Sequence, residues 1–259
     1  MRRWLPRRLG HGEEASLVEH LDELRTRLII GLVAVVPAFV VAFAFHKEII
    51  EWLKGPLPDD IELVTLGVTE PLSTSVSVSL IVAIALALPV LLWQIWAFLA
   101  PAVEPHFQRV VLVLVVIATA LFASGVAFMY YVVLPQALDF LTSYDADLYN
   151  TQIRASYYYN FVALLLLGGG LAFLLPIFVL ALVRLRILTT DRLRRNRKIA
   201  FVLLLIFAAL LPTADPVSLA FEVIPLVLLF EASIWVAVFL ERRWQSDWED
   251  DELFEGQSP

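Results

Sequence analysis

The residues best suited to chemistry in this chain are carboxylates set beside cations or inside apolar runs. Glu19, Glu23 and Arg27 recur at intervals of four, so a helix carries them on one face and lets Glu23 pair with Arg27. Leu17, Leu21, Leu24 and Leu28 fall at helical spacing on another face, which makes residues 16–28 an amphipathic helix suited to a membrane interface. Asp215, Glu222 and Glu231 stand in or beside the last long apolar stretch. A charged carboxylate in hydrocarbon is costly, so such positions serve partner contact, or a proton relay. Glu222 lies only ~10 Å of helix rise beyond Asp215, so a hydrated place near the interface is an equal reading of it. Little points to catalysis. His11, His20, His46 and His106 are scattered, cysteine is absent, and neither a His-Glu-x-x-His nor a Gly-x-Ser-x-Gly motif occurs. The chain reads as non-enzymatic, with no metal and no cofactor.

These residues are positioned by long apolar segments. Of 259 residues, 60% are hydrophobic and only 17% charged, against ~25% charged in soluble domains. A helix needs ~20 apolar residues to cross a ~30 Å hydrocarbon core. Residues 28–45 suffice for a first span, with Pro37 inside it as a kink. Residues 46–70 read as a loop with one short amphipathic helix. Residues 71–98 form a second span interrupted by Pro89, and residues 110–134 a third that stops at Pro135. An acidic loop over 136–156 leads to Tyr157, Tyr158 and Tyr159, which suit a headgroup-level aromatic belt. Residues 161–183 are a fourth span, and Gly168 to Gly170 in it serve as a hinge or, more often, as a place of close helix packing. The stretch 199–240 is too long for one span and is broken at Pro212, Asp215 and Pro216, giving fifth and sixth helices that are both short. The expected fold is an all-α polytopic membrane protein of six transmembrane helices.

Lys and Arg set the orientation. Arg2, Arg3, Arg7, Arg8, Arg25 and Arg27 precede the first span. Arg184, Arg186, Arg192, Arg194, Arg195, Arg197 and Lys198 lie between the fourth and fifth, and Arg242 and Arg243 follow the sixth. The alternate loops hold only Lys47, Lys54 and Arg154 among many acids. Six crossings with both termini cytoplasmic satisfy this distribution. The chain then divides into a cytoplasmic segment 1–27, a membrane domain 28–240 and an acidic, disordered cytoplasmic tail 241–259.

The segment Glu19-His20-Leu21-Asp22-Glu23-Leu24-Arg25-Thr26-Arg27-Leu28 resembles the one that opens TatC, the large subunit of the twin-arginine protein translocase. Pro56-Leu57, Thr69-Glu70-Pro71-Leu72 and the run from Pro89 to Ala102 resemble later family segments in the same order. So do Phe128, Tyr130, Tyr131 and Pro135, then Pro212-Thr213-Ala214-Asp215, then Pro225 with Leu229-Phe230-Glu231. The resemblance spans about residues 16 to 241.

The resemblance implies a receptor in the cytoplasmic (inner) membrane for folded proteins whose signal peptides carry paired arginines, driven by the proton-motive force. Two guanidiniums call for carboxylates in a fixed fork near the membrane surface. The implied signal-peptide face comprises Leu21, Glu23, Leu24, Arg25, Arg27, Phe98, Pro101, Glu104 and His106. The family's inner-loop acid follows a His, but here His106 is followed by Phe107, so Glu104 is the residue that approaches the same guanidinium. A polar family position in the fourth helix is Leu174 here, and Glu222 is expected to supply the missing polar contact. Asp215, Glu222, Pro225 and Glu231 form the implied face for partner subunits. The implied partners are single-span subunits of TatA and TatB type, the lipid bilayer and further copies of the chain in a larger complex, and no nucleic acid. The alternative is a small ion- or proton-coupled transporter using Asp215, Glu222 and Glu231 as a relay, although the paired repeats of that class are not evident.

Overall fold

The structure, a computed structural model, describes residues 17–58, 61–99, 107–144, 152–184, 187–212 and 216–255. The helices are α1 (Leu17–Ala44), α2 (His46–Lys54), α3 (Glu70–Leu99), α4 (Phe107–Phe128), α5 (Leu134–Ser143), α6 (Ala155–Ala172), α7 (Leu175–Arg184), α8 (Thr190–Arg195), α9 (Arg197–Ala209) and α10 (Pro216–Glu255). Two short strands, β1 (Leu63–Val64) and β2 (Ile153–Arg154), pair in parallel.

Five helical stretches among the described residues are long and apolar enough to cross a membrane: Leu21–Ala44, Glu70–Phe98, Leu112–Ser143, Ala155–Arg184 and Pro216–Glu241. The helix expected fifth is α9, whose 13 residues rise only ~20 Å. The last helix is not short. Its apolar part has 26 residues and lies in a 40-residue helix that carries through Pro225. Helix continues past Glu241 to Glu255. At the other end, α1 passes without a break from the amphipathic segment into the first span.

Two prolines act differently from expectation. Pro89 lies inside an unbroken α3. Pro135 does not stop the third span, because a π-turn over Met129–Val133 precedes it and passes directly into α5. The wider turn accommodates a residue without an N–H, so the helix extends to Ser143 and shortens the expected loop.

The packing centre is where α3, α4 and α6 meet, with α1 laid along α3 and α10 against α7 and α9. Helices in lipid associate through close approach of small residues. Gly168 faces Leu211, Gly169 faces Met129, and Gly170 faces Phe122, so this triplet serves packing. A Cβ on Gly125 would stand 2.7 Å from Phe173 Cγ and 3.0 Å from the Cα of Gly170, which makes this a close backbone crossing of α4 and α6.

One end of the bundle is closed by α2, β1, β2 and the start of α6. Tyr130 and Tyr158 donate to the carbonyls of Trp52 and Leu53 at 2.7 and 2.9 Å, satisfying the open end of α2. Trp52 and Tyr130 stack with centroids 4.1 Å apart. Tyr158 and Tyr159 are therefore buried rather than part of an interfacial belt, and only Tyr157 is exposed. The guanidinium of Arg154 lies over its ring. Glu70, 4% exposed, joins both strand segments. Its Oε1 accepts from Arg154 Nε at 2.9 Å and from the Ser156 amide at 3.3 Å, and its Oε2 accepts from the amides of Leu66 and Gly67.

Substituting Gly125 with Val should lower thermal stability in detergent by about 1–3 kcal/mol through overpacking. Gly67→Ala should be nearly neutral, since a Cβ there meets nothing nearer than 3.8 Å. Glu70→Ala leaves several inward donors without an acceptor and should cost about 1–3 kcal/mol. Arg154→Ala should cost less, because Arg154 is 38% exposed and its partner keeps three amide donors. Equal losses of melting temperature in the two variants would contradict this ranking.

Candidate recognition surface and intramembrane carboxylates

The helical spacing of Glu23 and Arg27 becomes an ion pair in α1. Glu23 Oε1 accepts from Arg27 Nε at 3.0 Å and Nη2 at 2.5 Å. Both bonds fall on one carboxylate oxygen, so Oε2 lies outside this pair. Each side chain is about a quarter exposed. The pair therefore sits at the protein surface, where a second guanidinium has access to the carboxylate. Arg25 lies exposed, and Leu21, Leu24 and Leu28 form an exposed apolar strip. None of these leucines is used in the core, so the apolar face of α1 is open from Leu21 to Leu28.

The end of α3 lies beside this surface. Gly31 of α1 packs against Leu91 of α3. Seven residues further toward that end, α1 reaches Leu24 and α3 reaches Phe98, which is half-buried. Antiparallel packing thus brings Glu23 level with the entry to the loop after α3. Pro101, Glu104 and His106 lie outside the described residues.

The basic segment 187–198 folds as α8 and the start of α9. The Thr189 side chain caps α8 by accepting from the Arg192 amide, and Thr190 hydrogen-bonds Glu241 of α10. Arg192, Arg194 and Arg195 remain exposed. Arg197 Nη2 pairs with Glu231 Oε2 at 2.9 Å, at one side of a groove of about 380 Å³ walled by Phe201, Val202, Val227 and Phe230. Glu231 is thus a half-buried ion-pair partner rather than an isolated carboxylate in lipid.

Glu222 is wholly buried, at 0% exposed, on the face of α10 that turns inward. It is not at a hydrated surface position, and it faces its own chain rather than the bilayer. Beside it, Val223 and Leu226 pack with Leu175, Val179 and Leu204. Leu174 belongs to a different cluster with Trp96, Val115 and Ile177. Pro225 is half-buried within α10, and Asp215 lies outside the described residues. The structure therefore gathers Leu21, Glu23, Leu24, Arg25, Arg27 and Phe98 at one end of the α1–α3 pair. It places Glu222 and Glu231 at separate positions along α10, one internal and one on the groove beside α9. No group of three or more metal-ligating side chains occurs among the described residues.

Sequence reasoning missed the role of Glu70. The segment Thr69-Glu70-Pro71-Leu72 carries the family resemblance, but a carboxylate before a proline at the head of an apolar run looks like any acidic helix start and gives Glu70 no role.

Comparison with known proteins assigns the family. The profile described as Sec-independent protein translocase protein (TatC) matches residues 19–225. The Sec-independent protein translocase protein TatC of Helicobacter pylori strain J99 is 35% identical over 222 residues, covering 86% of this chain and 88% of that protein. TatCd of Bacillus subtilis is 36% identical over 231 residues, covering 89% and 95%. The crystal structure of the twin-arginine translocase receptor TatC superposes with a TM-score of 0.76 at 35% identity, over 85% of this chain and 98% of that one. A second structure, of the same receptor in DDM, gives 0.77. With sequence, helix order and three-dimensional likeness in agreement, the chain belongs to the TatC family of Sec-independent, twin-arginine protein translocase subunits.

Proposed function

We propose that this subunit is the signal-peptide receptor of its translocase, binding paired arginines at the start of α1. The observation that carries the reading is the Glu23–Arg27 pair, in which one carboxylate oxygen takes both bonds and the other lies outside them. An incoming guanidinium exchanges with Arg27 or shares the carboxylate with it. Leu21 and Leu24 offer apolar contact beside it, and Arg25 flanks it on the exposed side. Phe98 closes the α3 side. Pro101, Glu104 and His106 complete the face from the following loop, with Glu104 as the second carboxylate in place of the acid that Phe107 displaces.

The charge distribution supports six crossings with both termini in the cytoplasm, α9 being the short one in a locally thinned or sheltered position. The membrane is then the cytoplasmic membrane. Arg197 with Glu231 and the groove beside them, together with Asp215 and Pro225, supply the face for single-span partner subunits. Glu222 supports that face from inside, as an internal polar group beside the α7–α10 cluster that supplies from α10 the contact Leu174 lacks. Further copies of the chain join the same complex, which this subunit nucleates. The proton-motive force drives transport, as the family resemblance implies. The relay reading of Glu231 is the weaker one, because its carboxylate is held by Arg197.

Glu23→Gln should weaken binding of a fluorescent twin-arginine signal peptide at least tenfold, with little change in melting temperature. A twin-lysine peptide should bind the wild type as weakly as the variant binds the authentic peptide. Undiminished binding by Glu23→Gln would remove the receptor site from this position. Glu222→Leu should lower copurification of single-span partners, and Glu222→Gln should retain most of it.

A further inference from the structure

We infer that the groove between α9 and α10 seats one anionic phospholipid, with its phosphate at Arg197 and Lys198 and an acyl chain along the apolar wall. This goes beyond the partner reading above, because it concerns the subunit on its own. The groove, of about 380 Å³, lies within the ~300–1,000 Å³ typical of ligand sites. Its residues are ordered by depth. Arg197 and Lys198 open α9, and Phe201 and Val202 follow one turn further in. On α10, the ion pair holds Glu231 level with Arg197, and Val227 lies one turn deeper. Phe201 and Val202 are about half exposed, whereas Leu204 and Phe230 are buried and form the floor. A trough charged at one level and apolar at the next has the polarity of a lipid rather than of a water-soluble ligand.

The charge at the polar level is unbalanced. Two cations meet one carboxylate there, which leaves one surplus positive charge. Arg197 Nη2 is held by Glu231 Oε2 at 2.9 Å, and Lys198 has no acidic partner among the described residues. On the adjoining α8, Arg192, Arg194 and Arg195 are exposed, and Asp191 is the one acid. A lipid with one net negative charge neutralises the surplus. A zwitterionic lipid brings its own ammonium and leaves the surplus in place. Asn196 gives α9 no side-chain cap, so amides of the first turn remain for the phosphate.

Depth gives a second reason. Glu231 precedes Glu241, where the apolar part of α10 ends, by ten residues, or about 15 Å of rise. The polar level of the groove thus stands beside helix that is still apolar. Charges at such a level are stabilised where headgroups or water are drawn inward. A phosphate seated on Lys198 draws the bilayer surface in to the start of the short α9. Its acyl chain then covers the wall that the two helices leave open.

The test uses the full chain, purified in detergent without partner subunits. Native mass spectrometry reads which lipid it retains from an equimolar mixture of phosphatidylglycerol and phosphatidylcholine with identical chains. One cation beside an anionic headgroup shifts binding about fivefold, so phosphatidylglycerol should be retained in about that excess. Lys198→Gln removes the surplus charge, leaves the Arg197–Glu231 pair intact, and should bring the two lipids near parity. Val202→Trp fills the trough without altering charge and should reduce retention of both lipids. Arg194→Gln removes a cation outside the groove and should leave the ratio unchanged. Glycerol phosphate at millimolar concentration, a headgroup without chains, should not displace the bound lipid. Equal retention of the two lipids by the wild type, or undiminished retention in Val202→Trp, overturns the inference. So does a ratio lowered as much by Arg194→Gln as by Lys198→Gln, or displacement by glycerol phosphate. Lipid retention is read without partner subunits, so the outcome is separate from copurification, which tests the partner face.

Discussion

Helices in hydrocarbon gain nothing from expelling water, so their association depends on how closely their backbones can approach. In this chain that constraint is met at the crossing of α4 and α6. Gly125 and Gly170 bring the two backbones together there, with Phe122, Phe173 and Met129 filling the space a side chain would have taken. The π-turn after α4 belongs to the same solution. It places Met129 and Val133 wholly in the core and brings Tyr130 to the end of α2. The closing elements at that end of the bundle inherit their position from this crossing.

Polar side chains are used in two different ways. At the end formed by α2, β1 and β2, polar groups are consumed in fixed bonds. Glu70 meets four donors, and two tyrosine hydroxyls terminate α2. Elsewhere, charged side chains lie in partly exposed pairs, Glu23 with Arg27 and Glu231 with Arg197. Exposed ion pairs contribute little stability. The polar bonds that fix the fold are therefore concentrated at the first end.

The helix positions were legible from the sequence because long apolar runs have few alternatives in a bilayer, and Glu23 with Arg27 was legible because their spacing is local. Features that depend on distant chain segments were not. Glu70 and Arg154 are 84 residues apart, and no periodicity links them. Tyr157, Tyr158 and Tyr159 look alike in a row, yet a helix turns the last two inward and leaves the first outside. Pro135 reads as a stop because proline ends most helices, and only a π-turn directly before it reverses that rule. Glu222 was legible as a costly carboxylate but not as a wholly buried one, since burial depends on which face of α10 meets α7. Pro101, Glu104 and His106 in the loop after α3, and Asp215 before α10, lie outside the described residues and are known from the sequence alone.

The length of α10 has an electrical consequence. From Glu241 to Glu255 the helix adds about 21 Å of rise past its apolar part. Charges in physiological salt are screened over about 8 Å. The charges at the two ends of this extension therefore scarcely sense each other. The arginines of α8 stand near its start, where Thr190 hydrogen-bonds Glu241. The acids from Asp247 to Glu255 follow at about 9 to 21 Å of helix rise, so that only the last of them stand more than two screening lengths away. The net charge of −7 is accordingly a sum over two regions, and neither the membrane nor a ligand at its surface experiences it as one.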